Sequence, residues 1–86
     1  MRVLIPTPLR SYTREASVVE AQASDLAKLL EALDGRYPGM RFRVIDEQGR
    51  IRQHIKFFVN RAQASSLATP LAPDDEVMIV CALSGG

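Results

Sequence analysis

Hydrophobic residues recur along this chain with two different periods, and the switches between them lay out its elements. Val3-Leu4-Ile5 is a short apolar run closed by Pro6 and Pro8; proline cannot donate to a sheet ladder, so the run predicts a strand that ends there. Residues 9–15 predict a polar turn. The β-branched run over residues 16–21 predicts a second strand, which makes residues 2–21 a hairpin. From Ser24 the period lengthens: Leu26, Leu29, Leu30 and Leu33 fall at i, i+3, i+4 and i+7, one stripe of an amphipathic helix. Ser24 or Asp25 can cap its first amides, and Gly35 and Pro38 supply the stop.

Beyond Gly39 the text alternates as Arg41-Phe42-Arg43-Val44-Ile45 and then meets Asp46-Glu47-Gln48-Gly49, which predicts an extended segment with a loop. Ile55-Lys56-Phe57-Phe58-Val59 predicts a strand ended by Asn60. The run from Glu76 through Ala82 predicts a last strand, launched from the turn Pro73-Asp74-Asp75. Strand, strand, helix, irregular piece, strand, short link and strand add up to an α+β roll, one main helix packed across a mixed sheet.

Composition narrows what such a roll can do. With 86 residues the chain supports one modest core and no second domain. A hydrophobic share of 47% and a charged share of 24% match an ordinary folded domain. The net charge is only +1, with bases and acids interleaved, so the phosphate-binding footprint of a nucleic-acid partner is missing. The single cysteine, Cys81, excludes an internal disulfide and a multi-cysteine zinc site, and fits a reducing, cytoplasmic interior. No apolar run approaches the roughly 20 residues of a membrane span, and the opening run is too short for a signal peptide, so no membrane partner is expected. There is no glycine-rich phosphate loop with lysine, no nucleophile elbow and no metal-spaced cluster. We therefore expect no catalytic residue, no metal and no cofactor bound by this chain.

The order of elements, with the last strand running into Gly85-Gly86, resembles the β-grasp fold of ubiquitin and of the bacterial sulfur carriers. More closely, the chain is similar to the small subunit of molybdopterin synthase and its MoaD–ThiS-like relatives. The matching features are the start Ile5-Pro6-Thr7-Pro8-Leu9-Arg10, the helix end Arg36-Tyr37-Pro38-Gly39, the strand Phe58-Val59-Asn60, the approach Leu71-x-x-Asp74-Asp75-Glu76-Val77, and Ser84-Gly85-Gly86. The resemblance implies a β-grasp domain over residues 1–82 and a flexible tail over residues 83–86.

It also implies chemistry. In that family an adenylating, E1-like activating enzyme uses ATP to convert the terminal carboxylate, here that of Gly86, to an acyl-adenylate. A sulfur donor protein then replaces adenylate to leave a thiocarboxylate. A sulfur-acceptor enzyme or large synthase subunit takes the sulfur for molybdopterin, cysteine or another sulfur-containing metabolite. The chain would be a protein co-substrate and no enzyme, possessing at most the role of a non-catalytic synthase subunit. Gly85 suits insertion into an enclosed site because it lacks a Cβ and lets a partner backbone approach closely, and Ser84 and Leu83 complete the reach. Two alternatives share the fold: a ubiquitin-like modifier joined to lysines through Gly86, and a β-grasp interaction module whose glycines are incidental.

Side chains alternate along a strand, so Val77, Ile79 and Cys81 share one face of the last strand and Met78 and Val80 the other. With Val77 and Ile79 in the core, Met78 and Val80 lie on the open face beside Phe58. Ubiquitin-like proteins dock through the equivalent face, which makes Phe58, Met78 and Val80 candidates for contact with the activating enzyme; the competing reading has residues 39–52 covering them. Cys81 reads as a small buried hydrophobe. His54 is a lone imidazole with no second ligand and is assigned no function. The arginines at 36, 41, 43, 50 and 52 either steer an acidic partner or form a solvated face.

Overall fold

The opening apolar run folds as β1 (Arg2–Leu4) and pairs antiparallel with β2 (Val18–Glu20), register Val3 opposite Val19, so the predicted hairpin is present. Its connection is more ordered than a polar turn. A short 3-10 helix, Thr7–Leu9, buries Leu9, and Thr13 is buried with its hydroxyl donating to the Ala16 carbonyl at 2.8 Å. The computed structural model describes residues 1–82.

The leucine stripe forms α1 (Leu26–Arg36), and Leu26, Leu29, Leu30 and Leu33 are all buried. Asp25 is the cap: its carboxylate accepts from the Lys28 amide at 2.8 Å. Gly35 does not stop the helix as expected. It lies inside the last turn, and the chain leaves helical geometry at Tyr37, before Pro38; the residue preceding a proline is driven out of the α region, a stronger signal than one tolerated glycine.

Residues 39–52 depart further from expectation. Instead of an extended segment, Met40–Val44 is a short helix, α2. Met40 and Val44, four apart, are buried, so the apparent alternation Arg41-Phe42-Arg43-Val44 was one turn of a helix read at period two. The helix starts because Gly39 adopts φ 93°, and because Asp34 of α1 accepts from the amides of Gly39 and Arg41, both at 3.1 Å. The loop that follows is present as expected, closing with Ile45 bridged to Ile51 and Asp46 accepting from the Gln48 and Arg50 amides.

Strand β3 (Ile55–Val59) ends at Asn60 as expected, but the short link after it contains a further strand, β4 (Ala62–Ala64). Asn60 and Arg61 both take positive φ, 49° and 73°, the backbone of a tight hairpin turn. Strand β5 (Glu76–Cys81) is the longest, and its place in the order β2-β1-β5-β3-β4 is central: parallel to β1, antiparallel to β3. Val3, Val77, Ile79, Ile55 and Phe57 form one buried face under the α1 leucines and α2. Each such side chain contributes about 1.5–3 kcal/mol through removal from water.

Candidate functional site

The chemistry expected from the sequence sits on Gly86, with Gly85, Ser84 and Leu83 leading to it. All four lie outside the described residues, so the structure bears on the site through what holds its root and what surrounds it. The root is the end of β5. Five residue pairs tie that strand to β3, from Val59 opposite Val77 to Ile55 opposite Cys81, and the Ala82 amide adds a bond of 2.7 Å to the His54 carbonyl. Strand β1 holds its other edge as far as Met78, opposite Leu4. The base of the strand is fixed by Asn60, whose side chain donates to Asp75 at 2.8 Å and accepts from the Glu76 amide at 2.9 Å. Asp75 also accepts from the Ala72 amide, and these bonds hold its carboxyl below the usual carboxylate range.

Around this root the two faces of β5 differ. On the core face Val77 and Ile79 are buried. Cys81 shares that face but is only half-buried, packed against the core at its rim. Burial pushes its thiol upward from the ordinary cysteine range, partly offset by the charge of Arg43.

On the open face the sheet register lines up Val18, Leu4, Met78 and Phe58 in one row across four strands. Val80 stands two residues further along β5, opposite Lys56. Phe58, Met78, Val80 and Leu4 are half-buried and Val18 is exposed. The predicted trio is thus brought together. Residues 39–52 do not take up this face, since Met40, Val44 and Ile45 join the core cluster with Val77 and Ile79 on the other.

Near the end of β5 the helix-bearing side forms a half-open groove that sequence reasoning did not assemble. Pro8, Leu9, Phe42, Arg43, Arg52, His54, Cys81 and Ala82 line it. Phe42 is 55% exposed, and the Arg52 guanidinium lies 4.7 Å from its ring centre while its Nε donates to the Phe42 carbonyl at 2.8 Å. Arg43, Arg52, His54 and Cys81 are each considered separately in the sequence; α2, whose only sequence signal is the four-residue spacing of Met40 and Val44, brings Phe42 and Arg43 to the other residues from the loop before β3 and from β5. Among the described residues no three histidine, cysteine or acidic side chains gather to hold a metal ion, and no helix is long and apolar enough to cross a membrane.

Comparison with known proteins bears on this arrangement. The model of the ThiS family matches residues 3–86. The sulfur carrier protein CysO of Mycobacterium tuberculosis is 32% identical over 98% of this chain and 96% of its own length. Its crystal structure superposes with a TM-score of 0.89 at 30% identity, covering 95% of this chain and 98% of that one. A chain of the Amycolatopsis orientalis BexX/CysO complex superposes with a TM-score of 0.90 at 26% identity, covering 99% of this chain and 98% of that one.

Proposed function

The chain belongs to the ThiS family, and from that premise we propose that it is a ubiquitin-like sulfur carrier working through the carboxylate of Gly86. The observation that carries the reading is the likeness to the sulfur carrier CysO over nearly the full length of both chains. The position of β5 supports it. A strand held on both edges through Met78, and by β3 and the His54 carbonyl from there to Ala82, gives residues 83–86 a fixed starting point for a partner that has docked on the domain.

A free carboxylate is a poor electrophile. Activation therefore belongs to a partner: an adenylating enzyme uses ATP to attach adenylate to the Gly86 carboxylate with release of pyrophosphate. Hydrosulfide delivered by a donor protein then attacks the acyl carbon, forming the C–S bond as the C–O bond to AMP breaks, and leaves the thiocarboxylate. Enclosure keeps water from the adenylate until sulfur arrives. The carrier contributes position and shape, with Gly85, Ser84 and Leu83 as the inserted strip. Sulfur then passes to a biosynthetic acceptor held by a further enzyme.

Phe58, Met78 and Val80 with Leu4 form the docking row for these partners. The row is apolar and continuous across strands, and two of its members, Met78 and Val80, are on β5, the strand that leads to the tail. The BexX/CysO complex is of a structural neighbour that assembles with another protein, in keeping with a chain that works by being bound.

The test is intact mass spectrometry after incubation with adenylating enzyme, ATP and a sulfur donor. The expected product is heavier than the free chain by the difference between one sulfur and one oxygen atom, and the change maps to the peptide containing Gly86. A chain that forms neither adenylate nor thiocarboxylate is not a carrier. Products larger by the mass of a second protein, cleaved only at an isopeptide bond, would favour the modifier alternative instead.

A further inference from the structure

The groove at the root of the tail has no part in the docking row, which lies on the opposite face of the sheet, and its composition is unusual for this nearly neutral chain. Two guanidiniums, Arg43 and Arg52, stand in it, and among the described residues no carboxylate lines it. Neither arginine takes part in an ion pair among the described residues. Asp46, whose carboxylate is held down chiefly by the backbone amide of Arg50, also feels the Arg52 charge, but it is already engaged by the Gln48 and Arg50 amides and by the Arg50 guanidinium at 3.7 Å.

Arg52 is also fixed in place. Its Nε is used on the Phe42 carbonyl and its plane lies over the Phe42 ring, so its two Nη groups are held ready with little further rotamer entropy to lose. Beside them Phe42 leaves more than half of its surface, 55%, in water. An exposed aromatic next to an anchored arginine is the pairing of residue types that dominates protein interfaces.

We propose that this groove is a second docking surface, taking an acidic segment of the same adenylating enzyme that receives the tail. Carboxylates of that segment pair with Arg43 and Arg52, and an apolar side chain beside them packs on Phe42. The proposal rests on the carrier reading. Reach favours this occupant: a residue spans at most about 3.5 Å, so the four residues beyond Ala82 extend no further than about 14 Å. An enzyme enclosing Gly86 must come within that distance of the groove. Charge complementarity selects acidic chemistry on its side, and the row of Phe58, Met78 and Val80 engages it from the other face of the sheet.

The test is steady-state adenylation, followed by pyrophosphate release, using the full chain and an adenylating enzyme that activates it. Arg43→Glu/Arg52→Glu should raise KM by about tenfold with kcat unchanged, because paired rim charges act on encounter rather than on chemistry. KM for the unaltered chain should rise with ionic strength and the double variant should lose that dependence. Phe42→Ala should raise KM several-fold and keep the salt dependence. Arg43→Glu alone, at a side chain with no hydrogen bond among the described residues, serves if the double variant does not fold. Unchanged KM and salt dependence in folded variants overturn the groove proposal and leave the carrier reading intact. A native chain that is never adenylated removes both. A change in the sedimentation of the carrier alone on charge reversal would assign the groove to a second copy of this chain and likewise overturn it.

Discussion

Met78 and Ile79 are neighbours in sequence, nearly equal in volume and both in the central strand, yet replacement by alanine should act mainly on partner binding at Met78 and on stability at Ile79. Ile79 is 2% exposed and faces Phe57 across the β3 pairing. Removing its side chain leaves a cavity that the packed face cannot close, at a cost of about 3 kcal/mol within the usual range of roughly 2–5. Unfolding entropy of about 2.1 cal/mol/K per residue makes the total for this chain about 0.18 kcal/mol/K, so the melting temperature should drop by about 15 °C. That is a large part of the roughly 4–13 kcal/mol expected for a domain of this length. Met78 is half-buried between Leu4 and Phe58 on the open face. Truncation there loses about 1 kcal/mol and some 5 °C, but removes the middle of the docking row, which should raise KM for adenylation by about tenfold. Thermal melts by circular dichroism and adenylation kinetics below the melting temperature read the two effects separately. If Met78→Ala melts as low as Ile79→Ala, the open face is core. If it melts near the native chain and is adenylated with unchanged KM, the row does not dock.

Two further predictions follow from local geometry. The bonds from Ala72 and Asn60 lower the Asp75 carboxyl in the folded chain. Its contribution to stability is therefore complete above the unfolded value of about 3.9 and is lost as pH falls through the lower folded value. Asp75→Asn should destabilise the chain at neutral pH and flatten the decline in urea midpoint below about pH 4; equal acid slopes for the two proteins would refute this. Gly39 and Gly35 should respond to alanine with opposite signs. At Gly39, φ 93° is strained for alanine and a Cβ would sit 3.3 Å from Tyr12 Cε1, so about 1–3 kcal/mol should be lost in denaturant titration. At Gly35 a Cβ meets nothing within 4 Å and helix propensity should add about 0.5–1 kcal/mol; a destabilised Gly35→Ala would contradict its placement inside α1.

The parts of this protein that the sequence alone determined are those where local pattern and burial point the same way. The leucine stripe from Leu26 to Leu33 has a period only a helix satisfies. Alternation from Val77 to Val80 could place Val77 and Ile79 inward only by placing Met78 and Val80 outward, and Asn60 could end a strand because asparagine tolerates a positive φ. The terminal Gly85-Gly86, set after such a strand, was one of several features carrying the resemblance to the sulfur carriers, and the chemistry expected of Gly86 lies outside the described residues. Tertiary structure decided the rest. Four residues from Arg41 fit period two as well as one helical turn, and the choice fell to Asp34, seven residues earlier, which caps α2 when α1 brings it there. Strand β4 exists because β3 offers it an edge, and no pattern within Ala62-Gln63-Ala64 announces that. The groove needed both: Phe42 and Arg43 from α2, Arg52 and His54 from the loop into β3, and Cys81 from β5 meet because non-local pairing and packing of their elements bring them together, which no short window of sequence can encode.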